Sequence, residues 1–253
     1  MGLFDFFKGK GAANADAQEK TLLRHAERIL DKRAMSPDRF ASIEFLCRLG
    51  TEEAWRALLP RFNFTVDPTI TDREEKDYIL AAVAKAGEAA VGPVKEYLLK
   101  ASSVNWPIKM LRGLVKEEEF VGEMVALLKG EDTNYQKNPE RKIQAIIAIE
   151  EAADPRVAPA VLPFLDDVSE DTRFHAVRTL LAQDAPETAD ALLALAARED
   201  SMRIKTTIAD GLVERRWPGG AEAREKAAPV LSRLPNGPFA FDADGALTRP
   251  GRR

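Results

Sequence analysis

Six apolar positions, Ile43, Ile79, Ile108, Ile143, Phe174 and Ile204, recur along this 253-residue chain at separations of 36, 29, 35, 31 and 30 residues. Each opens a stretch whose apolar residues follow a helical period, as Ile143, Ile146 and Ile147 do at i, i+3 and i+4. A short acidic or glycine-bearing turn and a second, leucine-rich helix follow. Two short helices with their turns fill about thirty residues, and one such pair cannot bury its own apolar stripe. Neighbouring pairs must therefore stack and share a core. Alternation with a period of two, the mark of a strand, is nowhere sustained.

Start signals agree with this division. Ser36-Pro37-Asp38 offers an N-cap, a proline for the first helical position and an acid for the helix dipole. Thr71-Asp72-Arg73-Glu74 has the form of a capping box, and Asp154-Pro155 opens the second helix of the fourth pair. The expected organisation is a flexible aromatic leader over 1–16, a capping helix over 17–35, the repeats over 36–234 and a tail over 235–253. The capping helix carries Leu22, Leu23, Ala26, Ile29 and Leu30 on one face. The tail has no helical periodicity, and its Pro, Gly, Asp and Ala content predicts a disordered end.

The fourth and fifth segments contain ADPRVAPAVLPFLDD followed by EDTRFHAVRTLL, and these strings resemble HEAT repeats of the phycobilin-lyase HEAT-like type common in bacterial proteins. The resemblance is good over about residues 137–217 and weaker upstream. It implies an all-α fold: a right-handed α-solenoid of about six HEAT-like helical pairs with an N-terminal capping helix. Such repeats host scaffolds, adaptors, lyase subunits and a few enzymes, so the resemblance specifies a fold and leaves function open.

Lys and Arg number 37 against 41 Asp and Glu, a net charge of -4. That balance counts against nucleic acid as the partner, because such binding draws its affinity from many basic contacts. The single cysteine, Cys47, sits among Phe45, Leu46 and Leu49 and reads as a small buried apolar residue. One cysteine permits no internal disulfide, no run approaches the ~20 apolar residues of a membrane span, and the expected location is cytoplasmic.

His25 and His175 lie far apart without a second ligand at HExxH or CxxC spacing, so neither a metal nor a cofactor is expected. No P-loop, GxGxxG or GxSxG string occurs. Asp166, Asp167, Glu170 and Asp171 around one turn, and Glu117, Glu118 and Glu119 at another, read as hydrated acids favoured by the helix dipole. A HEAT-like DNA glycosylase would need stacking aromatics, for which Trp106 and Trp217 are available, but Met110 stands where a carboxylate would be required. A lyase-like chaperone of a cofactor is the other alternative, and no chromophore motif accompanies the repeats.

Three features exceed what a solenoid needs. The leader MGLFDFFKGKG places Leu3, Phe4, Phe6 and Phe7 on one broad helical face, suited to a partner or to weak contact with a membrane surface. Phe6 breaks the myristoylation pattern. Two long inter-repeat loops are expected at Asn63–Asp77 and Glu131–Pro139, with Phe64 and Tyr135 as contacts and Phe62 as a plug between repeats. In the tail, Phe239 and Phe241 alternate with small residues. The expected function is a non-catalytic scaffold or adaptor that offers a solenoid surface to a protein partner.

Overall fold

The computed structural model describes the backbone of residues 3–249 and the side chains of 17–249. Thirteen α-helices and one two-stranded hairpin occur among the described residues, arranged largely as helical pairs in two compact units, 1–115 and 116–253. Each unit is an all-α solenoid segment with its own core.

The first unit holds α1 (Leu3–Leu30), α2 (Ser36–Leu49), α3 (Glu52–Leu58), α4 (Thr69–Ala86), α5 (Glu88–Lys100) and α6 (Asn105–Leu114). One layer stacks α1 on α2, α2 on α4 and α4 on α6, and a second places α3 on α5. Ile29, Ile43, Leu46, Leu58, Ile79 and Val94 between the layers are fully buried. The hairpin between α2 and α3 follows from two residues. Gly50 takes the left-handed conformation (φ 64°) and donates its N–H to the Leu46 carbonyl, which ends α2. Thr51 then accepts the Ala54 N–H through its side chain and starts α3. Pro60 lies in the 3₁₀ turn Leu59–Asn63 that prolongs α3.

The second unit holds α7 (Glu117–Lys129), α8 (Glu140–Ala148), α9 (Val157–Val161), α10 (Glu170–Ala182), α11 (Ala189–Arg198), α12 (Met202–Arg215), α13 (Ala221–Leu231) and the strands β1 (Ala240–Phe241) and β2 (Leu247–Thr248). Helix α10 packs between α8 and α12 in one layer, while α7 meets α9 and α11 meets α13 in the other. Ser169 caps α10 by accepting the Thr172 N–H. Gly211 allows α12 to close on α10, because a Cβ there would lie 2.4 Å from Leu181 Cδ1.

Several expectations are corrected. Helix α4 begins at Thr69 rather than after Asp77, so the first long loop is only residues 64–68. Thr71 therefore lies inside the helix instead of capping it, and Asp72 beside it is turned towards Arg61 and Lys76. Met35, not Ser36, holds the N-cap position of α2, without a side-chain bond. Residues 235–249 are ordered where a loose tail is expected. Phe239 and Leu247 are buried, β1 pairs antiparallel with β2, and the hairpin lies against α12 and α13. Two-residue strands are too short to leave a period in the sequence.

Candidate functional site

Charged side chains buried at the repeat junctions set the frame for any surface. In the second unit Lys142, at the start of α8, stands 2.6 Å from Asp167 in the turn after α9. One repeat later Arg173, at the start of α10, grips Glu199 in the turn after α11 with bonds of 2.7 and 2.9 Å. In the first unit Glu75 of α4 accepts Arg39 from α2 and Arg61 from the 3₁₀ turn, while Asp72 accepts Arg61 and Lys76. Every member of these clusters apart from half-buried Arg173 is buried. Asp167 is thus a junction residue, contrary to the hydrated acid expected there. Glu170 and Asp171 stay at the surface and pair with Arg203.

These junctions position two of the aromatic residues singled out in the sequence. Phe64 follows directly on the 3₁₀ turn, and its half-buried ring lies 4.7 Å from the Arg61 guanidinium and 5.3 Å from Lys32 Nζ. Arg61 Nη1 also donates to the Phe64 carbonyl at 3.1 Å. Tyr135 behaves differently: it stands 81% exposed on the loop between α7 and α8. That loop is tied at several points. Val168 N–H donates to the Thr133 carbonyl, Lys142 Nζ to the Asp132 carbonyl, and Arg141 Nε to Glu131. The ring is therefore presented by fixed backbone. Phe64 and Tyr135 lie in different units, and Leu3, Phe4, Phe6 and Phe7 lie outside the residues whose side chains are described.

A groove that sequence reasoning missed runs between α2 and α4 in the first unit, with a volume of about 710 Å³. Glu44 and Arg48 line it from α2, Tyr78, Ala82 and Lys85 from α4, and Trp55 from α3. The alanines of α4 leave the space open where larger residues would close the two helices together. Trp55 is only 1% exposed, and its indole Nε1–H has no hydrogen-bond partner. Its one signal in the sequence is a tryptophan beside a helix start facing an alanine-rich helix. Cys47 borders the same groove and is half-buried rather than enclosed. Burial, aided by Glu44, pushes its thiol up to about 12, so it stays protonated and unreactive at neutral pH.

Of the remaining candidates for chemistry, His25, Trp106 and Trp217 are packed into the fold, while His175 Nδ1 is buried without a hydrogen-bond partner. His25 stacks on Phe45 at 4.1 Å with Nδ1 3.1 Å from Ser42 Oγ, and burial with Arg24 and Arg28 lowers its pKa. The pKa of His175 is lowered by burial and then by Arg178. Trp106 packs on buried Phe62 at 5.0 Å, as the plug reading of Phe62 expects, and Trp217 is itself buried. Among the described residues no group of three or more His, Cys, Asp or Glu side chains could hold a metal ion, and no helix is long and apolar enough to cross a membrane.

Residues 110–212 match the family model of HEAT repeats. Over this stretch the chain carries HEAT repeats. The matched stretch covers the pairs α8–α9 and α10–α11, where the junction ion pairs recur, and it does not single out the phycobilin-lyase type. No curated protein and no solved structure matches the chain.

Proposed function

We propose that this HEAT-repeat chain is a non-catalytic scaffold or adaptor that binds a protein partner, working in the cytoplasm. The observation that carries the reading is Tyr135, a large aromatic side chain 81% exposed on backbone held by the Lys142 and Val168 bonds. Val168, bonded to that loop through the Thr133 carbonyl, is a second exposed apolar residue, at 58%. Tyrosines of this kind are enriched at interface anchors, since they bring large contact area with little conformational freedom to lose. A prefixed surface also lowers the ordering cost of association. HEAT repeats generally serve protein interaction, which agrees with this assignment.

The test is affinity capture from the native cell with the full chain, its Tyr135→Ala variant and a form lacking residues 1–16, followed by binding of the purified partner to each. Retention of a specific partner by the full chain and its loss on Tyr135→Ala is the expected result. Failure of the full chain to retain any protein above background refutes the scaffold reading. Equal retention without residues 1–16 removes the aromatic leader from the binding account.

A further inference from the structure

We infer that the groove between α2 and α4 receives an acidic segment of a protein partner, with an acceptor oxygen on the Trp55 indole N–H and carboxylates at Arg48 and Lys85. The inference rests on the scaffold reading and names the chemistry of one of its docking sites. Three observations lead to it. Trp55 Nε1 is a buried donor with no acceptor within the protein, although the side chain is 1% exposed. Buried donors are almost always satisfied. Nε1 itself is closed off in this structure, so an acceptor from the groove reaches it as the indole turns towards the groove that Trp55 lines.

The charge on the groove points the same way. Arg48 and Lys85 are both exposed and line the groove, against one carboxylate, Glu44. Residues 1–115 carry 18 Lys and Arg against 16 Asp and Glu, whereas residues 116–253 carry 19 against 25. The groove thus sits on the basic unit of an acidic protein, and an acidic ligand is steered to it. The space is also of the right kind. At about 710 Å³, with Ala81, Ala82 and Ala86 along one wall, it admits side chains and backbone of a peptide without repacking the core.

Arg48 and Lys85 each occupy the last turn of a helix, where a cation is favoured by the dipole alone. The test has to separate that role from ligand binding. Fluorescein-labelled, end-capped octaglutamate is titrated against the full chain by anisotropy, with octaglutamine and octalysine in parallel. The ¹⁵N-labelled protein is then observed at its three indole N–H resonances, one per tryptophan, with Trp55→Phe making the assignment.

Octaglutamate is expected to bind and to move the Trp55 indole proton downfield. The double variant Arg48→Glu with Lys85→Glu weakens binding about tenfold or more while its Tm stays within a few degrees of the parent. Ala82→Leu, which fills the groove from an incompletely buried position, weakens it as well and serves where Trp55→Phe does not fold. A lower Tm with unchanged affinity means that the two cations serve only the helix ends, which overturns the inference. So does a shift confined to the Trp106 or Trp217 indole, or equal binding of octalysine. Absence of octaglutamate binding in a protein that still captures its partner refutes the groove alone, whereas loss of capture refutes the scaffold reading.

Discussion

Arg39 Nε donates to both oxygens of Glu75, at 2.8 and 3.0 Å, with the arginine 2% exposed and the glutamate fully buried. Arg61 Nε adds a bond of 2.8 Å to the same carboxylate, so one anion bridges cations from two different elements, and Asp72 shares the second. Taking one partner from such a cluster leaves charge buried without compensation. Glu75→Leu is expected to lower the unfolding free energy by about 3–5 kcal/mol, read from urea denaturation. A change below about 1 kcal/mol would mean that water or rearrangement compensates the two arginines, and that the cluster does not hold the junction.

Acid should attack the same cluster through Asp72. Burial alone raises this carboxyl, but hydrogen bonds from Lys76 and Arg61 and from the Val66 amide outweigh it and hold the group below its ordinary value. A carboxylate depressed in the folded state contributes its full stability above the unfolded pKa of about 3.9 and loses it as pH falls through the folded value. Asp72→Asn, which cannot titrate, is therefore less stable than the parent at neutral pH. Its urea midpoint should also fall less steeply than the parent's between about pH 5 and pH 2. Parallel slopes would place the acid sensitivity elsewhere, with Glu199 the next candidate because its bonds to Arg173 hold it low.

What could be read from the sequence was whatever repeats locally. Of the six recurring positions, Ile43, Ile79, Ile108, Ile143 and Ile204 are buried, because an apolar stripe at helical spacing has no other place to go. Phe174 departs from the series: it is half-buried, with the Arg203 guanidinium 4.1 Å from its ring. The junction pairs were invisible, since nothing in a string of charges couples Lys142 to Asp167 or Arg39 to Glu75. The capping-box form of Thr71-Asp72-Arg73-Glu74 misled for a related reason. The string places Thr71 at a helix start, whereas α4 begins two residues earlier and Asp72 answers Arg61, a partner eleven residues away. The Trp55 groove likewise depends on two helices that are neighbours in space.

Gly211 offers a test of how closely α12 approaches α10. A methyl group there would lie 2.4 and 2.7 Å from the two terminal carbons of Leu181, which is itself buried. Helix propensity favours alanine over glycine by about 1 kcal/mol. Overpacking opposes it by about 1–3 kcal/mol, because Leu181 has to move in a filled interior. Gly211→Ala should thus be net destabilising, and pairing it with Leu181→Ala should cost less than the sum of the two single changes. Strict additivity in the urea midpoints would show that the helices separate readily and that the contact is slack.

The C-terminal hairpin should act as the cap of the last repeat. Phe239 is 3% exposed, with the Arg249 guanidinium 5.0 Å from its ring, and Arg249 in turn pairs with Asp210 of α12. Gly219 N–H donates to the Gly245 carbonyl at 3.0 Å, which ties the hairpin to the turn between α12 and α13. In a repeat array each element depends on its immediate neighbours, so losing a cap loosens the adjoining pair first. Phe239→Ala removes a buried aromatic side chain, a change that costs about 3–5 kcal/mol in a closed core. Amide hydrogen exchange in α12 and α13 should accelerate in this variant, with α8 and α10 left close to the parent. Uniform acceleration through all four helices would show that residues 116–253 open as one cooperative unit, with no separable cap.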